Sequence, residues 1–175
     1  MACDPAAGIC RLPFKRKEEN ECGPGELSPL TALEDCKGQR VELTSLRGKM
    51  VALFFSAGWC PACHQFLPAL KAFAAANANE VVVVFVSYDH RQVSCRDKQE
   101  FFRVPWSGPR RAMAERFQVR MLPTLVVLDG DTGALVTDWG RSAVLRNPKR
   151  CLQEWRAGRS GATWWVLLRP SFLAG

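Results

Sequence analysis

The sequence predicts an α/β fold built on a mixed β-sheet flanked by helices. Three apolar runs carry that expectation: Met50–Phe55 (MVALFF), Glu80–Tyr88 (EVVVVFVSY) and Pro123–Asp129 (PTLVVLD). Continuous runs of this length, rich in β-branched residues, suit strands covered on both faces. Between the first two, apolar residues fall at Phe66, Leu67, Leu70, Phe73 and Ala74, which is helical spacing. Strand, helix, strand, then further helices and strands is the α/β arrangement, and 175 residues suffice for one domain.

Residues 1–26 read as a flexible leader: KRKEENE is mixed charge and CGPGE is a turn signal. Its Cys3, Cys10 and Cys22 follow no zinc spacing and read as stray thiols. The folded domain is expected over 27–157. Its first segment, LSPLTALEDCKGQRVELTSLRGK, predicts an extra N-terminal β-hairpin with strands near Leu30–Leu33 and Arg40–Leu43. Pro68, inside the helix that follows Cys60, predicts a kink. SCRDKQEFFRV and PRRAMAERFQV are shorter helical candidates, with Ser94 capping the first and Pro109 in the first turn of the second. GDTG then turns the chain into ALVTDWG, an antiparallel edge strand, and NPKRCLQEWRA forms a final helix from near Pro148. Residues 158–175 are a basic and apolar tail with no readable structure.

Composition excludes several classes. An apolar content of 47% excludes a disordered chain, and 13 Gly with 11 Pro exclude a collagen-like one. No apolar run reaches the roughly 20 residues that span a bilayer. The net charge is +7, and residues 141–175 alone carry seven basic groups against one acidic. That distribution describes a solvated, charged end rather than a nucleic-acid footprint. A monomer with no nucleic-acid or membrane partner is expected. The eight cysteines tempt one toward a disulfide framework, but a chain of this length needs none. The first 22 residues contain no apolar signal core. The expected compartment is therefore the reducing cytoplasm, with the nucleus also open to so small a domain. In that setting a close cysteine pair is catalytic or metal-binding.

Such a pair lies in GWCPAC, immediately after the first buried strand and before the helix. A helix beginning at Cys60 places its sulfur at the helix N-terminus, where unpaired backbone N–H groups and the helix dipole favour a thiolate. The thiolate is the attacking species in thiol–disulfide exchange. Cys63 lies one turn on, on the same face, so it can resolve a mixed disulfide at Cys60. Pro61 sits where its missing N–H costs nothing, and it stiffens the loop. Trp59 presents a flat apolar surface beside Cys60, or simply packs. His64 adds positive potential if protonated, or is a plain surface residue.

The segments FFSAGWCPAC, FLPAL and the downstream LPT resemble the thioredoxin-like superfamily. ALFFSAGWCPACHQFLPALKAF, VVVVFVSYD, VPW and FQVRMLPTLVVLDGDTGALVTDWGR resemble its tryparedoxin and nucleoredoxin branch, over roughly residues 38–150. The resemblance implies a thioredoxin-like fold, with Cys60 as nucleophile, Cys63 as resolving thiol and a redox-active disulfide between them. It makes Pro123 the family's cis-proline, with the backbone of Leu122 pairing to a bound substrate chain. On the residues alone, Pro123 equally suits the start of a strand. Trp59 and Trp106 match surface aromatics of the branch, and Tyr88 with Asp89 an aromatic–acid pair after the central strand. Pro61, Ala62, Leu122, Pro123, Trp59 and Trp106 are thus the expected site-shaping residues. No cofactor is implied, and no metal either, since the proline set against the thiols discourages one. Three departures stand out. Phe54 occupies the position of the buried acid of typical thioredoxins, which leaves the proton acceptor for Cys63 unassigned, with Asp89 or a water as candidates. The motif is Pro-Ala where tryparedoxins carry Pro-Pro. SGPRR after VPW is shorter and more basic than the branch's loop, pointing to Arg110 and Arg111 as determinants of partner choice.

The expected function is therefore a dithiol–disulfide oxidoreductase that reduces protein disulfides through a mixed disulfide. Its electrons would come from a reductase or a low-molecular-weight dithiol. The alternative is a redox-sensitive partner-binding module of the nucleoredoxin-like type with little turnover. A small metal-binding domain is disfavoured, because only His64 lies near the two thiols.

Overall fold

A computed structural model of the chain describes residues 2–4, 9–11, 30, 32–91 and 101–161, the first two stretches at the level of the backbone. In chain order the elements are β1 (Ala2–Asp4), β2 (Ile9–Arg11), β3 (Leu33–Glu34), β4 (Arg40–Val41), a 3-10 turn (Leu43–Leu46), β5 (Met50–Ser56), α1 (Pro61–Ala76), β6 (Val81–Ser87), β7 (Phe102–Arg103), α2 (Arg110–Arg116), β8 (Met121–Leu122), β9 (Thr124–Asp129), β10 (Leu135–Thr137), α3 (Gly140–Arg146) and α4 (Cys151–Arg156). Among the described residues, no helix is long and apolar enough to cross a membrane.

The main sheet has seven strands in the order β10-β9-β5-β6-β7-β3-β4. β5 runs parallel to β6, in register from Met50↔Val81 to Ser56↔Ser87, and antiparallel to β9, from Met50↔Asp129 to Phe55↔Thr124. β6 and β7 are parallel, while the outer pairs are antiparallel. The sheet is mixed, as the apolar runs predict.

Burial of β5 on both faces explains its uninterrupted apolar sequence. Val51, Leu53 and Phe55 face one core, which also contains Val84, Val126 and Met113 of α2. Ala52 and Phe54 face the other, with Phe66, Leu70 and Phe73 of α1, Val144 of α3 and Trp155 of α4. In this second core Phe54 meets Phe66 edge-on at 5.8 Å between ring centroids, and Phe73 meets Trp155 likewise at 5.4 Å. These are favoured aromatic geometries.

The N-terminal hairpin is present as β3 and β4, paired Leu33↔Val41 and Glu34↔Arg40. Asp35 organises its turn by accepting hydrogen bonds from the backbone N–H groups of Lys37 and Gln39, both at 2.8 Å. Gly38 supplies the positive φ (+79°) that the turn requires. A half-buried Glu34–Arg103 ion pair (3.2 Å) ties β3 to β7.

Several expectations are corrected. The helical candidate SCRDKQEFFRV ends in a strand: Phe102 pairs with Val84 as β7 extends the sheet, so pairing overrides the local pattern. Ser94 lies outside the described residues. Pro109 precedes α2 as its cap residue instead of occupying the first turn. The helix expected after Cys60 is present as α1, 16 residues long, with Pro68 exposed inside it. The short elements α3 and β8 carry no clear sequence signal. Two strands, β1 and β2, lie within the stretch read as a loose leader, and they join β8 in a separate antiparallel sheet of order β1-β2-β8. Residues 12–29 and the tail from 162 onward lie outside the described residues.

Gly130, at the end of β9, donates its N–H to the Lys49 carbonyl at 2.9 Å. A Cβ there would lie 2.2 Å from the Leu46 carbonyl oxygen and 2.4 Å from that of Lys49. Both obstacles are backbone, so neither can swing aside. Gly130→Ala is expected to destabilise the fold by about 2 kcal/mol and lower Tm by about 4–8 °C. A calorimetric scan within 1 °C of wild type would contradict this close approach.

Candidate active site

The site forms where the chain leaves β5 and enters α1. Cys60 is the residue before the helix, in extended conformation (φ −95°, ψ 108°), and Pro61 is the first helical residue. Proline suits that position because its fixed φ is helical and no acceptor exists for the donor it lacks. The Cys63 N–H bonds the Cys60 carbonyl at 3.1 Å, closing the first turn. The two cysteines thus stand one turn apart at the helix N-terminus.

The loop leading to them is clamped from two sides. The Gly58 N–H donates to Asp89 Oδ1 at 2.7 Å, and the Gly58 carbonyl accepts from His64 Nε2, also at 2.7 Å. That second bond fixes the proton of His64 on Nε2. Asp89 is held in turn by the Ser87 hydroxyl, which donates to Oδ2 at 2.8 Å. The Tyr88 N–H bonds the Ser56 carbonyl at 2.9 Å. The loops after the parallel strands β5 and β6 are therefore joined at the carboxyl end of the sheet, where α/β folds place ligands.

Across from Cys60 stands the turn between β8 and β9. The Leu122–Pro123 peptide bond is cis. The Cys60 thiol points toward the Leu122 carbonyl oxygen, with Sγ···O at 4.0 Å. Leu122 and Pro123 are both buried. Cys60 itself is 0% exposed and Cys63 only 3%.

The environment of Cys63 is strongly asymmetric. Burial, reinforced by its contact with the Cys60 thiol, pushes its pKa up from 9.0 to about 12. The Ser56 hydroxyl lies near enough to act against this, though no hydrogen bond of normal geometry joins the two. At neutral pH Cys63 is a protonated thiol. Arg141, near the start of α3, brings a cation within electrostatic reach of both sulfurs, and its own pKa is pulled down by burial. Sequence reasoning missed Arg141: it belongs to a seven-residue helix with no capping side chain, and only the tertiary fold brings it to the thiols.

Other residues singled out in the sequence are placed as follows. Ala62 is buried and Pro61 exposed. Trp59 is half-buried, its ring nearly parallel to that of His90 at 6.5 Å between centroids. Trp106 lies beneath the Arg110 guanidinium, 3.8 Å from its ring. Arg110 also donates to the carbonyls of Ser87 (2.8 Å) and Trp106 (3.2 Å). It is a half-buried brace between β6 and α2, whereas Arg111 is exposed. Phe54 sits in the aromatic core, where typical thioredoxins keep a buried acid. Asp89 spends both carboxylate oxygens on Gly58 and Ser87, so its role here is to hold the loop.

Two thiols one helical turn apart, at the end of a buried strand and facing a cis-proline turn, define a thioredoxin-like dithiol oxidoreductase. A family model described as thioredoxin-like matches residues 48–134. Tryparedoxin of Trypanosoma brucei brucei is 35% identical over 121 residues, covering 64% of this chain and 83% of that protein. A solved tryparedoxin from Trypanosoma brucei superposes with a TM-score of 0.65 at 32% identity, covering 73% of this chain and 93% of that one. A tryparedoxin II solved in complex with glutathionylspermidine gives a TM-score of 0.63 at 29% identity, over 69% of this chain and 88% of that one. Nucleoredoxin of Mus musculus is 34% identical over 120 residues, 63% of this chain but only 27% of that longer protein. The chain belongs to the thioredoxin-like family, in its tryparedoxin and nucleoredoxin branch.

Only a thiolate is alkylated, so a thiol far below its pKa reacts about tenfold faster for each added pH unit. In a Cys60→Ser variant, burial remains the main influence on Cys63. Iodoacetamide labelling of Cys63, followed by peptide mass spectrometry, should keep accelerating about tenfold per unit from pH 7 to about 10.5. A rate that levels off just above pH 9, as for a thiol of the ordinary pKa of 9.0, would show that the thiol is not raised.

Proposed function

We propose that this protein reduces disulfide bonds in protein substrates, with Cys60 attacking and Cys63 resolving. The observation that carries this reading is the asymmetry of the pair. Cys63 is held protonated by burial, while Cys60 caps a helix N-terminus with Arg141 nearby. The Cys60 thiolate attacks a substrate sulfur; the substrate disulfide breaks, a Cys60–substrate disulfide forms and the second substrate sulfur leaves as a thiolate. Cys63 then loses its proton and attacks Cys60 Sγ. The substrate leaves reduced, and a Cys60–Cys63 disulfide remains.

On this reading Leu122 offers its backbone to the substrate chain, Pro123 shapes the turn beside the sulfurs, and Trp59, Pro61 and Ala62 form the rim. Trp106 belongs to the same edge of the sheet but is covered on one face by Arg110, so its part is to support the loop. Re-reduction requires a reductase or a low-molecular-weight dithiol. The tryparedoxin complex with glutathionylspermidine supports a small thiol donor of that class. A cytoplasmic site of action fits a site that works as free thiols. The complete burial of Cys60 favours a second reading, a partner-binding module that turns over only when a partner opens the site.

Dithiothreitol-driven insulin reduction separates the two. Wild type should accelerate turbidity, Cys60→Ser should fall to the uncatalysed background, and Cys63→Ser should accumulate a mixed disulfide with insulin. If wild type gives background rates while Cys60→Ser still retains a bound partner, the binding module is the correct reading.

A further inference from the structure

The reactive end of the molecule is occupied by its own leader. β2 pairs antiparallel with β8, Cys10 opposite Leu122 and Arg11 opposite Met121. β8 is the strand that ends at the cis-proline turn, and the Leu122 carbonyl is the group toward which the Cys60 thiol points. β2 also runs against α1, the helix that Cys60 begins. Directly opposed residues of an antiparallel pair have Cα atoms about 4.5–5.5 Å apart. Cys10 is therefore one strand's width from the residue that faces Cys60. Cys60 and Leu122 are both at 0% exposure.

A second register completes the picture. β1 pairs with β2, and Cys3 stands directly opposite Cys10. Disulfides form between residues whose Cα atoms are about 4.4–6.8 Å apart, a range that includes directly opposed strand residues. In each of these two pairings, the residue placed at the middle of the three-residue strand is a cysteine. Cys3, Cys10 and Leu122 thus lie abreast across three strands, and the Leu122 carbonyl oxygen is 4.0 Å from Cys60 Sγ.

We propose that Cys3 and Cys10 form a second redox pair, which the leader strand docks at the active site for thiol–disulfide exchange with Cys60. The proposal rests on the reading of Cys60 as nucleophile. The exchange balances within the chain. The Cys60 thiolate attacks Cys10 Sγ of a Cys3–Cys10 disulfide; that bond breaks, a Cys60–Cys10 bond forms and Cys3 leaves as a thiolate, taking a proton from solvent. Cys63 gives up its proton and attacks Cys60 Sγ, and Cys10 leaves as a thiolate. Two electrons pass from the Cys60/Cys63 pair to the Cys3/Cys10 pair, and the reverse sequence returns them. An external substrate chain reaches Leu122 only after β2 has left β8.

The test uses the full chain at low micromolar concentration, with oxidised glutathione as the probe. In Cys3→Ser/Cys63→Ser, which lacks both thiols able to resolve the product, glutathione captured by Cys60 should be displaced by Cys10. Non-reducing peptide mass spectrometry should then find a Cys10–Cys60 linkage within monomers, in more than half of the chains. With Cys10→Ser added to that variant, Cys60 should instead remain glutathionylated. Oxidised wild type should yield a Cys3–Cys10 peptide. The proposal is overturned if Cys60 stays glutathionylated whether or not Cys10 is present, or if the Cys3–Cys10 peptide is missing. Insulin reduction by the same wild-type preparation keeps the outcomes apart. Active protein without the Cys10–Cys60 link defeats the leader exchange alone. The link in protein inactive on insulin defeats the general reductase reading and leaves the exchange standing.

Discussion

The rest of the structure depends on the double burial of β5. Its seven residues pair with β6 on one edge, six of them pair with β9 on the other, and helices cover both faces. A strand so enclosed has no freedom of direction at its end, so the chain leaves Ser56 at a fixed point and angle. Four residues, Ala57 to Cys60, then lead into α1. The same register that aligns Phe55 with Thr124 brings the turn at Pro123 to the level of that helix start. The meeting of the thiols with the cis-proline turn is therefore a result of sheet register rather than of contacts made within the site.

Second-layer interactions then hold the loop. Asp89 and His64 both act on Gly58, one through its N–H and the other through its carbonyl. Charge-assisted hydrogen bonds to a carboxylate are among the stronger protein contacts, and two opposed bonds on one residue leave the loop little room to drift. The position that carries a buried acid in typical thioredoxins is given over to Phe54, and the aromatic core benefits. Among the influences on the Cys63 thiol none is a carboxylate. Burial alone is left to dominate that thiol.

What could be read from the sequence follows the range of the interactions. The three long strands, α1 and the motif at its start were legible, because apolar period and the Trp-Cys-Pro-Ala-Cys motif are local signals. The β3–β4 hairpin was legible through its turn. β7, β8 and α3 were not, since two-residue strands exist only by pairing with a distant partner and α3 lacks a cap. Gly140 shows the same dependence: a Cβ there would come within 2.7 Å of the Leu125 carbonyl oxygen, so its identity is dictated by β9, which no local pattern reveals. The bonds of Arg110 were equally hidden: within a basic run, only the fold shows that one of the two arginines braces β6 against α2. Arg141 reaches the thiols only through the tertiary fold, and the placing of Cys10 became visible only with the pairing of β2 to β8.

The main sheet finishes in strands of three residues at β10 and two at β4. Such short borders expose few unpaired backbone groups to a neighbouring molecule, and Arg40 adds an exposed cation at one of them. Together with a net charge of +7, this makes the molecule a poor template for its own growth into ribbons.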